Sequence, residues 1–116
     1  MKEENFLKKC HERLDAGARE YGDQSFYKNS DALVEEIKEE AYDVANWSAV
    51  MSCTGINPDA DFVLKVVANK AQEIAIILEK CKQSGLFSDR KIPERGTPGL
   101  ASAASDWLEK NLSSRG

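Results

Sequence analysis

Nine consecutive residues, Glu35 to Asp43 (EEIKEEAYD), carry five carboxylates against a single lysine, Lys38. Like charges at helical-neighbour spacing destabilise by about 0.2–0.5 kcal/mol per pair, so this density asks for a compensating role. Projected at about 100° per residue, Glu36, Glu40 and Asp43 fall on one narrow stripe of a helix, and Trp47 continues it. The stripe borders an apolar arc running from Leu33 and Val34 through Ile37, Ala41 and Val44 to Met51. Three acids in a line beside an inward face form a candidate divalent-metal set. Mg²⁺ takes oxygen ligands, keeps several waters and is shared between one or two carboxylates and substrate phosphates. An ion held there would neutralise phosphate charge and lower the pKa of an attacking water.

The same letters have a plainer reading as a solvated helix face. With Ser30 or Asp31 as N-cap, the helix dipole favours acids in the first turn and accounts in part for Glu35 and Glu36. That effect fades within a turn, so Glu40 and Asp43 stay unexplained. Glu39 points further out and is the local candidate for orienting water. From the next helix, Glu73 completes the cluster if the two helices lie antiparallel. Lys70 falls in the middle of that helix's apolar arc. It either snorkels its ammonium to the rim or pairs with the acids, and in a working site it reaches a phosphate oxygen. Asn46 is either an exposed amide or a partner for a sugar hydroxyl or a metal-bound water. Trp47 is either core filling or a surface on which a base stacks. Arg90, Lys91 and Arg95 are further candidate phosphate contacts.

The elements that position these residues follow from period and punctuation. A first helix is expected over residues 3–20, with Phe6, Leu7, Cys10, Leu14 and Tyr21 inward and Gly22 as its stop. Residues 23–30 connect it to a second helix over 32–53. A third helix is expected over 60–83, capped by Asp59 or Asp61, because its β-branched runs keep a 3.6-residue period without turn signals. Residues 86–99 are Pro- and Gly-rich loop. A short fourth helix over 102–112, with Trp107, Leu108 and Leu112 as anchors, is expected either to dock or to fray. The fold class is all-α, a bundle of three long helices plus a short C-terminal one. Residues 1–84 would form the helical domain, with 85–116 as a loop and short helix packing on it.

The 116 residues, 41% hydrophobic and 31% charged, suit one modest core. The net charge of −4, with the bases scattered, argues against a nucleic-acid or anionic-membrane surface. No apolar run approaches the roughly 18 residues of a membrane span, and the start lacks an apolar leader. Three separated cysteines without a CxxC, and one histidine, make zinc a poor fit. They read as reduced, buried thiols of a cytoplasmic protein. The adjacent Cys10 and His11 point about 100° apart on a helix, which makes them a poorer fit still as a nucleophile pair.

Glu36-x-x-x-Glu40-x-x-Asp43 followed by Val44-Ala45-Asn46-Trp47 resembles the acidic helix of the MazG-like, all-α nucleoside triphosphate pyrophosphohydrolases. Ala18-Arg19-Glu20-Tyr21-Gly22-Asp23-Gln24-Ser25-Phe26 and Leu33-Val34-Glu35-Glu36-Ile37 are similar to short bacterial and phage members. The similarity covers about residues 12 to 80. In that family an ExxE helix and an ExxD helix hold Mg²⁺, and a nucleotide is cut between its α and β phosphates. Here Glu36-x-x-Glu39 and Glu40-x-x-Asp43 supply both elements on one helix, and the third helix offers Glu73 and Glu79 without an ExxD. The resemblance implies Mg²⁺-dependent hydrolysis of a (deoxy)nucleoside triphosphate to the monophosphate and pyrophosphate. Glu36, Glu40 and Asp43 would hold metal, and Glu39 or Glu73 would act as ligand or water-orienting base. The alternative is a non-catalytic helical module that binds a nucleotide or a protein. Both readings carry the expectation of a homodimer or higher homo-oligomer.

Overall fold

A computed structural model of the chain describes residues 1–112, and among these every regular element is helical. The helices are α1 (Glu3–Tyr21), α2 (Ser30–Ser52), α3 (Pro58–Gln83) and α4 (Leu100–Leu112), with a 3₁₀ turn at Gln24–Tyr27. No helix among the described residues is long and apolar enough to cross a membrane.

The helix starts correct the expected caps. The side chain of Asn29, not Ser30 or Asp31, accepts the Ala32 N–H at 2.8 Å. Likewise Asn57, not Asp59 or Asp61, accepts the Ala60 N–H at 2.9 Å, and Pro58 follows it. Asparagine is among the best caps, and proline at the first helical position forgoes an N–H that has no helical acceptor anyway. Helix α1 stops at Gly22, whose φ of 67° is open to glycine at little steric cost.

Two compact units divide the chain. One is continuous, residues 29–91, and consists of α2 and α3. Its helices are antiparallel, because Lys38 near the start of α2 meets Glu79 near the end of α3, while Ser52 meets Asp61 at the other end. The seam is lined by small residues. Val34, Ala41, Ser48 and Ala71 are buried, and Ala45, Ala68 and Ala75 are half-buried beside them. Small side chains let two helix backbones approach closely, which fixes the crossing more than it buries apolar area.

The other unit joins residues 1–28 to the described part of 92–116. There α1 packs on α4 with Leu7 buried. His11 clasps the pair, its Nδ1 lying 3.1 Å from Ser105 Oγ and its Nε2 3.1 Å from Glu109 Oε1. In the same unit Tyr27 donates its hydroxyl hydrogen to Asp23 at 2.7 Å and accepts the Gly96 N–H at 3.1 Å. Arg95 covers the Tyr27 ring at 5.1 Å.

Several apolar anchors expected from periodicity stand at the surface instead. Phe6, Tyr21 and Trp107 are each at least half exposed. Of the three thiols, Cys53 is exposed and Cys10 and Cys81 are half-buried. None of them is the buried hydrophobe expected.

Candidate functional site

Helix α2 places Glu36, Glu40 and Asp43 on one exposed stripe, as their spacing requires. The stripe does not lie on the wall shared with α3. The seam residues Val34, Lys38, Ala41, Ala45 and Ser48 define the α3-facing direction, and at about 100° per residue the three acids sit roughly 120–180° from it. The apolar arc is wider than the seam, and the acids border its open half. Glu39 is exposed as well.

From α3, Glu73 and Lys70 pair with each other at 3.7 Å, with side chains 62% and 70% exposed. Lys70 therefore neither reaches the acids of α2 nor lies in the buried part of its own helix. The convergence of Glu73 with the α2 acids does not occur within the chain. Trp47 is 72% exposed and so is not core filling. Asp43, Asn46, Trp47 and Val50 together line a shallow recess of about 270 Å³ on α2.

Among the described residues no three His, Cys, Asp or Glu side chains converge as a metal group. Mg²⁺ asks less of a protein than that, since one or two carboxylates plus substrate phosphates suffice. The pairs Glu36/Glu40 and Glu40/Asp43 stand at i,i+4 and i,i+3 spacing, where Cβ atoms are about 5–6 Å apart. The stripe thus fits a shared, substrate-completed site and not a closed protein cage.

The charged group that sequence reading missed is Lys38. It is 8% exposed, and its Nζ donates to Glu79 at 2.6 Å and to Glu35 at 3.1 Å. Lys82 donates to the same Glu35 oxygen at 3.2 Å. The hydrogen bond from Lys38 holds Glu79 below its usual pKa, and those from Lys38 and Lys82 do the same for Glu35. Bonding to Glu79 and then Glu35 pushes the Lys38 ammonium above its ordinary value. The signal was present in the spacing, since Lys38 follows Val34 by four and precedes Ala41 by three on the small-residue seam. This network sets the register of α2 against α3 and leaves Lys38 no unshared charge for a ligand.

Beside that network a groove of about 590 Å³ runs along the seam, floored by Ala41, Ala45, Ala68, Ala71 and Ala75 and walled by Tyr42 and Ile76. In the other unit, Ser105, His11 and Glu109 stand in the order hydroxyl, imidazole, carboxylate. Ser105 lies in the middle of α4, where the neighbouring backbone N–H groups are spent on helix hydrogen bonds. An oxyanion cannot be received there, so the trio acts as a helix clasp.

No protein-family model, curated protein or solved structure matches the chain.

Proposed function

We propose that the chain is a nucleoside triphosphate pyrophosphohydrolase of the MazG-like type, using Mg²⁺. The observation that carries this is the exposed Glu36–Glu40–Asp43 stripe on α2, continuous with the recess of Asp43, Asn46, Trp47 and Val50. A phosphate chain along the stripe puts a base or sugar within reach of Trp47 and Asn46. The indole face stacks and the amide bonds a hydroxyl. Glu36, Glu40 and Asp43 are the residues that would hold the ion, and Glu39, on the same helix, would orient water. When bound, the ion screens the phosphates and acidifies the attacking water. Hydrolysis between the α and β phosphates then yields the monophosphate and pyrophosphate.

A second reading, a helical module whose acidic face binds without catalysis, draws on the lack of a three-acid metal group within the described residues. Pyrophosphate release measured over the common ribo- and deoxyribonucleoside triphosphates, with and without Mg²⁺, separates the two. Release that needs Mg²⁺ supports the enzyme. Nucleotide-dependent stabilisation without release supports the module.

A further inference from the structure

The turn that follows α1 has no part in the nucleotide reading, yet it grips the loop ahead of α4 across 69 positions of sequence. That loop is built to move as a piece. Thr97 donates its N–H to the Glu94 carbonyl at 3.1 Å and closes a four-residue turn. Gly96 takes the third position with φ 84°, and a positive φ there is a glycine's place. Pro93 and Pro98 flank the turn and fix their own φ near about −65°. The Gly96 N–H has no acceptor inside such a turn and is left to bond outward.

Its acceptor is the Tyr27 hydroxyl, at 3.1 Å. The same hydroxyl donates its hydrogen to Asp23 Oδ2 at 2.7 Å. A carboxylate only accepts, so the hydrogen is committed to Asp23 and a lone pair is left for Gly96. Bonds chained through one hydroxyl strengthen each other. The bond to Asp23 also holds the phenol above its ordinary pKa, which keeps that hydrogen in place. On the ring itself lies the Arg95 guanidinium, 5.1 Å from the centroid. One side chain therefore holds two successive residues of the turn, whereas the His11 clasp uses other residues of α1 and α4.

We infer that Tyr27 is the latch of a strap: residues 93–98 close on the turn after α1 through its hydroxyl and its ring face, and open as a unit before α1 and α4 separate. Asp23 is a positioning residue that acts on the strap only through Tyr27. Arg95, a candidate phosphate contact by sequence, is occupied for as long as the strap is closed, and so is the N–H beside it.

Trypsin reads the latch, because it cuts after Arg95 and must take both that side chain and the Gly96 peptide. Initial cleavage rates on the full chain, resolved bond by bond by mass spectrometry, are compared between wild type and variants. Tyr27→Phe keeps the ring under Arg95 and removes both hydrogen bonds. It should speed cleavage at Arg95–Gly96 by about tenfold, leaving the Arg90–Lys91 bond of the same loop unchanged. Asp23→Ala should have a smaller effect in the same direction, and none once Tyr27 is Phe, since its action passes through the hydroxyl. In the wild-type chain the Gly96 amide should exchange at least about tenfold more slowly than an unstructured peptide of its sequence, and faster than amides in the middle of α1. Equal rates at Arg95–Gly96 in wild type and Tyr27→Phe overturn the latch, as does an unprotected Gly96 amide. If Tyr27→Phe speeds cleavage throughout α1 and α4 as well, the tyrosine holds the whole unit and no separate strap exists.

Discussion

At the scale of single residues, Asp43 and Lys38 divide the acidic segment into two jobs. Asp43 is exposed, borders the recess with Trp47 and ends the stripe. Asp43→Asn removes a hard anionic oxygen while relieving repulsion from its neighbours, so Mg²⁺-dependent pyrophosphate release should fall by on the order of 10²-fold with the melting temperature unchanged or slightly raised. Equal turnover at saturating Mg²⁺ would remove Asp43 from the site. Lys38 is the opposite case. Lys38→Met leaves Glu35 and Glu79 facing each other across the seam without their shared cation. The melting temperature should drop by several degrees, and Lys38→Met with Glu79→Leu should recover much of the loss, because an apolar pair can replace an ion pair that one deletion cannot. Both roles were partly legible. Spacing placed Glu36, Glu40, Asp43 and Trp47 on one stripe correctly, but charge type alone could not tell that Lys38 was the buried member of the run.

At the scale of elements, the four helices were legible from period, Gly22 and the Asn57-Pro58 break, whereas the packing faces were not. Both halves of the α2 arc are apolar, and periodicity gives its centre without saying which half meets another helix. The small residues Ala41, Ala45, Ala68, Ala71 and Ala75 carried that information, because close helix approach selects small side chains over large ones. The Asn57 cap makes a direct prediction. Asn57→Ala frees the Ala60 N–H and should cost about 1 kcal/mol in urea or thermal unfolding. The hairpin ion network predicts a pH profile as well. Glu35 and Glu79 have folded pKa values below the ordinary 4.5, so the stability they add is complete above that value. It should be lost as pH falls through their lower folded values. Asp61, lowered by its bonds from Ser52 and Lys65, adds to the same acid limb. The Lys38 contribution is lost only above its ordinary 10.5. Melting temperature against pH should therefore be flat from about pH 5 to 10 and fall on the acid side, with a shallower fall in Lys38→Met.

At the scale of the whole molecule, the chain is organised as a continuous hairpin set between two segments that form the other unit. Native-state hydrogen exchange should show this directly, with amides of α1 and α4 opening together and those of α2 and α3 protected as a separate group. A shared exchange rate across all four helices would refute that division. Sequence reading had no means to find it, since the amphipathic pattern of α1 does not specify which later helix covers it. The His11–Ser105 contact spans 94 positions of sequence. On a ribosome, α1 emerges first and waits for α4, roughly 5–20 s at ordinary elongation rates, whereas the hairpin can close as soon as α3 is out. That closure has a use for the waiting segment. By tying Glu35 to Lys82 it draws the two ends of the inserted stretch together, so the ring that α4 must close is much shorter than the sequence separation suggests. The hairpin is then the template of its own synthesis, and a mutation that delays it would leave nascent α1 exposed for longer, to be read as aggregation during expression and not as a loss of final stability.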